Sequence, residues 1–396
     1  MRSTYDYLIV GGGMAADAAA RGIRERDADG SIGIVGADSD PPYTRPALTK
    51  KLWTDPDFTV EDNWLGTVED TGAELATSTT VTAVDVAEHT VSTDDHRQLR
   101  YQRLLLATGG TPKTLDVPAG ERAIYFRTFA DYHQLRGVSG QQRHVAVVGG
   151  SFIGSELAAA LVQNSTTTTV IYPDDALCGS MFPASLAERF EQVYASHGVH
   201  LQSSTTVRTG TVDADGVVVE LDDGSKRRFD ALVAGLGIDP AVELATAAGL
   251  DVDDGIVVDA QLRTSADDVF AAGDVAHYPD RILGRQRVEH VDNATQMGTS
   301  AGRIMAGSTE SYDHTPYFYS NVFDISYQAL GTLDSSAVTI EDWVEPLEQG
   351  TVYYLSDDRL IGVLLWNIED RLDDARLLLA EDRRYGSADL VGSIRP

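Results

Sequence analysis

The sequence predicts an α/β protein with two Rossmann-like, three-layer domains and a smaller C-terminal α+β domain. One pattern, a hydrophobic strand that breaks into glycines and reopens as an alanine-rich helix, occurs twice, as YDYLIVGGGMAADAAA at residues 5–20 and as HVAVVGGSFIGSELAAA at residues 144–160. From about Thr315 the chain changes to period-two strands, among them TVYYLS and RLIGVLLWN, followed by the helical pattern DDARLLLAED. This change is typical of a separate mixed domain.

The first glycine pattern contains Gly11, Gly13 and Ala16 in GxGxxA spacing, directly after the apolar run LIV. In such a loop the first glycine permits the tight turn, the second leaves room for phosphates, and the third small residue lets helix and strand pack closely. The helix N–H groups then point at a pyrophosphate. The next strand pattern ends near Asp38, where an acid is expected to meet an adenosine ribose hydroxyl, although a solvated turn residue is the alternative.

The second pattern has Gly149, Ser151 and Gly154, so a serine stands where the middle glycine is preferred. After the following strand, Tyr172 occupies a position where an acid is common, and Asp174 lies just beyond it. No lysine or arginine lies there to receive a 2′-phosphate, so the segment favours NAD over NADP. Two dinucleotide sites in one chain indicate electron transfer between two dinucleotides.

The remaining segments predict how the domains are ordered. A hydrophobic strand in RLLLATGGTPK stops at Thr108 and Gly109, and a second nucleotide domain then runs to about Pro240. The strand pattern VFAAGD afterwards returns to the first sheet. We therefore expect one domain at 1–112 and 241–314, a second at 113–240 inserted in it, and a C-terminal α+β domain at 315–396.

Composition excludes several classes of function. The 396 residues include 31 basic and 61 acidic side chains, a net charge of −30, which repels nucleic acid and anionic membranes. At ~1 M salt the Debye length is about 3 Å, so self-repulsion largely vanishes, and we interpret the charge as adaptation to a salt-rich cytoplasm like that of halophilic archaea. Apolar runs fall short of the ~20 residues of a membrane span, and the early first strand leaves no room for a signal peptide. A cytoplasmic location is expected.

Cysteine usage excludes disulfide chemistry within the chain. Cys178 is the only cysteine, so no intramolecular disulfide and no dithiol relay can form. The residue is either a small packing residue, which we favour, or a nucleophile. No metal site is predicted.

Six motifs in order carry a family resemblance: GGGMAA, PYTRPALTK, LLLATGG, GGSFIGSE, FAAGDVA and VEHVDNA. Together they resemble the FAD-dependent pyridine nucleotide-disulfide oxidoreductases along nearly the whole chain, in the branch of the ferredoxin and rubredoxin reductases and apoptosis-inducing factor. The segments PYFYSNVFDISYQALG and GVLLWN are most similar to apoptosis-inducing factor. The resemblance implies bound FAD, NADH as substrate with NADPH less favoured, an acceptor such as ferredoxin or rubredoxin, and a monomer or homodimer.

The resemblance also implies the residues of the site. Lys50 is expected near the flavin N5 edge with Glu156 as its ionic partner, both acting in catalysis, although Lys50 and Lys51 could instead be a solvated pair. The other expected cofactor contacts are Gly11, Gly13, Ala16, Asp38, Arg45, Thr108, Gly109, Gly149, Phe152, Ile153, Gly154, Asp174, Gly237, Gly273, Asp274, Glu289, His290, Asn293, Ala294 and Trp366.

Physical arguments support some of these roles. Hydride arriving at N5 leaves negative charge near N1 and O2, which a helix start at residues 293–296 would stabilise. A desolvated, unpaired Lys50 would tend to lose its proton, so Glu156 is a sensible partner. The alternatives are a helix cap for Asp274, core packing for Phe152 and Trp366, and a structural role for His290.

Two functions stay open from the sequence. The first is an NADH-dependent reductase that passes electrons to a separate acceptor. The second is a slowly reduced redox flavoprotein resembling apoptosis-inducing factor, which holds a long-lived flavin–NAD complex and changes partners or oligomeric state.

Overall fold

The computed structural model describes residues 1–396. The strands are β1 (Thr4–Val10), β2 (Ile32–Val35), β3 (Glu74–Ala76), β4 (Val81–Asp85), β5 (Thr90–Thr93), β6 (Gln98–Leu106), β7 (Gly110–Pro112), β8 (Ala123–Tyr125), β9 (His144–Val148), β10 (Thr167–Ile171), β11 (His200–Gln202), β12 (Val207–Asp213), β13 (Gly216–Leu221), β14 (Lys226–Phe229), β15 (Ala231–Ala234), β16 (Ile238–Pro240), β17 (Val252–Asp253), β18 (Gly255–Val257), β19 (Val269–Ala271), β20 (Ala276–Asp280), β21 (Gly284–Gln286), β22 (Tyr317–Val322), β23 (Ile325–Gly331), β24 (Val338–Glu345), β25 (Gln349–Ser356) and β26 (Arg359–Trp366).

The α-helices are α1 (Met14–Arg24), α2 (Lys51–Thr54), α3 (Thr67–Thr71), α4 (Phe129–Val138), α5 (Phe152–Gln163), α6 (Ala184–Ser196), α7 (Glu243–Ala247), α8 (Val291–Met305), α9 (Leu372–Leu379) and α10 (Ser387–Leu390). Short 3₁₀ helices lie at Arg45–Leu48, Glu61–Asn63 and Gly273–Val275.

The chain divides into two compact units, which we describe separately. The first unit contains residues 1–45, 59–111 and 239–316. Its main sheet has the order β3-β2-β1-β6-β5-β4, with β19 also on β6. Strands β3, β2, β1, β6 and β19 run parallel, whereas β4 and β5 are antiparallel additions. In such parallel sheets ligands bind outside the carboxyl ends of the strands.

Helices α1 and α8 of the first unit are in close backbone contact because glycines line their interface. A Cβ on Gly22 would lie 2.2 Å from the Thr299 carbonyl oxygen, and one on Gly302 would lie 2.1 Å from that of Ala19. No larger residue fits at either position without moving the backbone. The glycines therefore fix where α8 starts relative to the first glycine loop.

The second unit contains residues 46–58, 112–238 and 317–396. Its parallel sheet has the order β11-β10-β9-β15-β8, and two antiparallel sheets have the orders β12-β13-β14 and β22-β23-β26-β25-β24. The period-two strands and the final helix predicted after residue 315 are confirmed as β25, β26 and α9. The parallel sheets with their connecting helices confirm the predicted α/β class.

Candidate functional site

The first glycine loop joins β1 to α1 in a conformation that only glycine adopts readily. Gly11 has φ +121°, and a Cβ there would lie 2.1 Å from the Ala107 carbonyl oxygen. Gly13 is the N-cap residue of α1, and no side chain caps this helix. The nearest atom to a Cβ on Gly13 would be a guanidinium nitrogen of Arg45, at 3.9 Å. An open helix start beside a cation fits a pyrophosphate.

Tyr43 connects two of the predicted cofactor residues in the first unit. Its hydroxyl donates to Asp38 Oδ2 at 3.1 Å, and the Arg45 guanidinium lies 5.3 Å from the centre of its ring. The ring is buried, so it fixes the acid and the cation relative to one another. Sequence reasoning missed Tyr43, although it stands inside the quoted motif PYTRPALTK.

The segment around Gly273 meets the starts of both α1 and α8. Gly273 has φ +80°, and a Cβ there would lie 3.0 Å from Ala15 Cβ and 4.0 Å from Ala294 Cβ. The next residue, Asp274, is half-buried and also lies near His290. The structure thus brings Gly273 and Ala294 to the first glycine loop, while Ala16 is buried within α1.

The start of α8 differs slightly from the prediction. The helix begins at Val291 with His290 as its N-cap residue, not at Asn293. Burial lowers the pKa of His290 to about 4, against the opposing effect of Asp274 and Asp292. The imidazole is therefore neutral at physiological pH, and the helix start presents N–H groups without a cationic side chain.

Asn293 is a structural residue of the helix start. Its Nδ2 donates to the Val288 carbonyl oxygen at 2.9 Å, and its Oδ1 accepts from the Tyr312 hydroxyl at 2.8 Å. The residue is fully buried, so these two bonds fix the helix start, and the predicted cofactor contact of Asn293 stays a prediction. The exposed Glu289 pairs with Arg287 at 2.6 Å.

Thr108 and Gly109 bind the returning chain of the first unit. The Thr108 hydroxyl donates to the Ala241 carbonyl oxygen at 2.8 Å, and the Ala241 N–H donates to the Gly109 carbonyl oxygen at 3.0 Å. Both residues are half-buried at the end of β6, so their predicted cofactor contact stays a prediction.

The second glycine loop joins β9 to α5. Gly149 has φ +119°, and a Cβ there would lie 2.4 Å from the Gly235 carbonyl oxygen. A Cβ on Gly154 would lie 1.9 Å from the Gly149 carbonyl oxygen, so the helix packs directly on the turn. Ser151 is the N-cap residue and is exposed, without a side-chain capping bond. Ile153, also exposed, would contact a Cβ on Gly235 at 3.0 Å.

Tyr172, at the position where an acid is common, faces the protein interior. Its ring is fully buried, and its hydroxyl donates to Glu191 in a very short bond. Asp174 is exposed just beyond β10, which leaves its carboxylate accessible. Gly237, with φ +84°, is exposed after β15.

Lys50 and Glu156 form a buried ion pair in the second unit. The Nζ to Oε1 distance is 2.7 Å, and the side chains are 15% and 4% exposed. Glu156 also accepts hydrogen bonds from the hydroxyls of Thr49 at 2.6 Å and Ser320 at 2.7 Å. A buried carboxylate is stable as an ion only when paired and hydrogen-bonded in this way.

An aromatic group from β22 lies beside this ion pair. The Lys50 ammonium is 5.4 Å from the centre of the Tyr319 ring. Phe152, half-buried at the start of α5, packs edge to face on Phe318 with ring centres 4.8 Å apart. Phe152 is partly open, and its predicted stacking on the nicotinamide stays a prediction.

Trp366 is a core residue. Its ring is 1% exposed, stacks on Tyr327 with centres 5.6 Å apart, and packs edge to face on Phe182. Protein atoms cover nearly the whole ring. This packing favours the core alternative, and the predicted cofactor contact of Trp366 stays a prediction.

In each unit, one strand of the parallel sheet is thus followed by a glycine turn that can receive a dinucleotide. No group of three or more His, Cys, Asp or Glu side chains is arranged to hold a metal ion. None of the helices combines the length and apolar composition that crossing a membrane would require.

Comparison with known proteins agrees with this geometry. Residues 5–298 match the family model described as pyridine nucleotide-disulphide oxidoreductase. The chain is 35% identical to the ferredoxin–NAD(+) reductase component of the anthranilate 1,2-dioxygenase system of Burkholderia cepacia, over 94% of each chain. It is 33% identical to a chloroplastic/mitochondrial monodehydroascorbate reductase of Arabidopsis thaliana, over 91% of this chain and 78% of the relative.

Two further likenesses involve a more distant relative and a solved structure. The chain is 26% identical to the putative apoptosis-inducing factor 1 of Drosophila melanogaster, over 98% of this chain but only 65% of that protein's length. The crystal structure of the covalent putidaredoxin reductase–putidaredoxin complex matches with a TM-score of 0.88 and 28% identity, over 95% of this chain and 93% of the other.

Proposed function

Because the chain belongs to the pyridine nucleotide-disulphide oxidoreductase family, it is an FAD-dependent oxidoreductase that uses NAD(H), and we propose that its acceptor is a ferredoxin-type iron–sulfur protein. The observation that carries the use of two dinucleotides is the pair of glycine turns, one in each unit. The disulfide reduction after which the family is named needs two thiols, whereas this chain has one cysteine. A dithiol relay within the chain is therefore excluded, and electrons would leave the flavin directly for the acceptor.

The first unit would hold FAD. The N–H groups at the start of α1, together with Arg45, are suited to the pyrophosphate, and Asp38, oriented by Tyr43, is suited to the ribose hydroxyls. Asp274 follows a buried strand and would hold the ribitol end. When bound, FAD accepts hydride from a nicotinamide and gives up the electrons singly.

The second unit would bind NADH and supply the reacting charge. The start of α5 at Ser151 is suited to binding the phosphates, and Phe152 to stacking on the nicotinamide. Asp174 is suited to binding the adenosine ribose. Lys50, paired with Glu156, would place its ammonium at the flavin edge. A preorganised charge in a desolvated site costs no reorganisation during the reaction, so it lowers the barrier effectively.

The iron–sulfur acceptor is supported by the named relatives. The anthranilate dioxygenase component is a ferredoxin reductase, and putidaredoxin is the partner in the solved complex. The likeness to apoptosis-inducing factor keeps the slow redox sensor as the second candidate. Monodehydroascorbate is a third acceptor to test, because a relative of comparable identity is named for it.

We also propose a cellular setting and a domain arrangement. NADH is preferred to NADPH because Asp174 would repel a 2′-phosphate, and the protein is a monomer or homodimer. The net charge of −30 supports a halophilic, cytoplasmic protein.

Within the chain, we assign FAD to residues 1–112 and 241–314, NADH to 113–240 and the C-terminal domain to 315–396.

The test is rapid mixing of the purified yellow protein with NADH or NADPH at about 1 M salt, where charge repulsion is screened, followed by steady-state assays. Ferredoxin, rubredoxin and monodehydroascorbate serve as acceptors. Many turnovers per second with an iron protein support the proposal. Slow flavin reduction with persistent long-wavelength absorbance supports the sensor, and fast turnover with monodehydroascorbate alone reassigns the acceptor. A colourless protein that takes up no added FAD overturns the function itself.

A further inference from the structure

We propose that Thr49 and Ser320 are positioning residues that hold the Glu156 carboxylate, and through it the Lys50 ammonium, in the orientation that hydride transfer requires. The inference rests on the proposed function, since it assigns Lys50 to the flavin edge. It concerns two hydroxyl groups inside the quoted segments, Thr49 in PYTRPALTK and Ser320 in PYFYSNVFDISYQALG, for which the sequence predicts no role.

The carboxylate receives three donors from separate elements of the second unit. Oε1 accepts from Lys50 Nζ and from the Ser320 hydroxyl, both at 2.7 Å, and Oε2 accepts from the Thr49 hydroxyl at 2.6 Å. Ser320 comes from β22, Thr49 precedes α2, and Glu156 lies in the first turns of α5. With both oxygens engaged, the carboxylate cannot rotate without breaking a charge-assisted hydrogen bond.

Each hydroxyl has one proton, and the distances show where it goes. Thr49 Oγ1 also lies 3.4 Å from the Pro46 carbonyl oxygen, but the contact to Glu156 is 0.8 Å shorter by the two distances. Both Thr49 and Ser320 are buried, so water does not compete for these protons. The neighbouring Ser155 is turned away, because its hydroxyl donates to the Phe152 carbonyl oxygen at 2.8 Å.

The position of the lysine depends on the carboxylate. Lysine has a flexible four-carbon stem and behaves as a mobile point charge. Here the ammonium is confined between Glu156 and the face of Tyr319, 5.4 Å from the ring centre. If a hydroxyl is removed, the carboxylate gains freedom to turn, and the ammonium moves with it.

The experiment compares Thr49→Val and Ser320→Ala with the conservative variants Thr49→Ser and Ser320→Thr, which keep the hydroxyl. Flavin reduction by saturating NADH is expected to be about tenfold slower in Thr49→Val and in Ser320→Ala, with KM for NADH little changed. The flavin midpoint potential should become more negative, because the displaced ammonium stabilises the negative charge of the reduced flavin less. The hydroxyl-keeping variants should restore both values.

A matched control separates loss of position from loss of packing. Thr168 is a fully buried threonine of β10 whose hydroxyl donates to the Thr166 carbonyl oxygen at 3.1 Å, away from Glu156. Thr168→Val should leave reduction rate and potential unchanged. In a Glu156→Gln background, adding Thr49→Val should have no further effect on the rate, because the group that Thr49 positions has already been changed.

The outcomes are distinct. Wild-type rates and potentials in Thr49→Val and Ser320→Ala overturn the inference while leaving the proposed function intact. An equal change in Thr168→Val also overturns it, because the effect would then be one of stability. If one variant fails to fold, the other decides, since the two donors lie on independent elements. Wild-type protein that binds FAD but is not reduced by NADH or NADPH overturns the proposed function and the inference together.

Discussion

The two glycine loops have nearly the same backbone and differ in what surrounds them. Gly11 and Gly149 have φ of +121° and +119°, and in both loops a Cβ would collide with a carbonyl oxygen. Beside the first helix start lies a guanidinium, that of Arg45. The second helix instead begins at the exposed, uncapped Ser151.

This difference indicates how one motif can serve either a nucleotide that stays bound or a nucleotide that exchanges. A pyrophosphate at the first loop would meet a helix start and a fixed cation, whereas one at the second would meet a helix start that opens at an exposed serine. The residues that decide this lie outside the glycine pattern, in the segment PYTRP for the first loop and in the exposed residues after β10 for the second. Four substitutions test the comparison, from the largest expected effect to the smallest.

Gly11→Ala is expected to have the largest effect. The added Cβ would stand 2.1 Å from a backbone oxygen that cannot move aside, at a φ that alanine rarely adopts. We expect purified protein that is mostly colourless and melts at a lower temperature, measured by the flavin to protein absorbance ratio and by calorimetry. Gly137→Ala, in α4 where nothing lies within 4 Å, is the control and should keep full flavin content. A fully flavinated Gly11→Ala protein would remove the first loop from FAD binding.

The two glycine loops can be predicted from the sequence because the residues that form each of them are neighbours in the chain. Glycine spacing, an apolar strand and an alanine-rich helix lie within about 16 consecutive residues. The residues that determine the turn are therefore all visible in one short segment of sequence. A local pattern cannot predict the two hydroxyl groups that donate to Glu156. Thr49 is 107 residues and Ser320 164 residues away from it in sequence. Only the packing of separate elements brings them to one carboxylate.

Trp366 shows the opposite limit of sequence reasoning. The sequence pattern of an aromatic residue at the end of a strand is the same whether its ring faces a cofactor or the core. The structure packs the ring on Tyr327 and Phe182, which favours the core, and neither residue is adjacent in sequence. The start of α8 lies two residues before the predicted segment 293–296, because the N-cap residue is His290, which makes no side-chain capping bond and is not a residue type typical of that position.

Gly149→Ala sharpens the comparison. The clash with the Gly235 carbonyl oxygen is comparable, at 2.4 Å, but it lies in the loop assigned to the exchanging nucleotide. We expect FAD content equal to wild type and a KM for NADH raised more than about tenfold, roughly the loss of one good phosphate contact. The measurement is steady-state kinetics with a saturating acceptor. Loss of flavin with an unchanged KM would reverse the assignment of the two loops.

Ser151→Gly is expected to have a smaller and favourable effect. The serine is exposed and makes no capping bond, so its removal breaks nothing and widens the approach of the phosphates to the helix start. We expect KM for NADH to fall roughly threefold, about 0.7 kcal/mol of binding, with unchanged flavin content. A rise in KM would instead mean that the serine hydroxyl itself binds phosphate.

Cys178→Ala is expected to have the smallest effect on catalysis, although Cys178 lies directly behind the second loop. Its backbone N–H donates to the Gly150 carbonyl oxygen at 2.8 Å, and burial raises the pKa of its thiol to about 12. Below that pH the thiol stays protonated, so the nucleophilic thiolate is absent across the physiological range. We expect turnover within about twofold of wild type, since the supporting bond comes from the backbone and not from sulfur. Iodoacetamide should leave the folded protein unmodified at pH 8 and label it only after unfolding. Rapid labelling of the native protein, or a large loss of turnover in Cys178→Ala, would show that the thiol is reactive and that the second loop does more than bind a nucleotide.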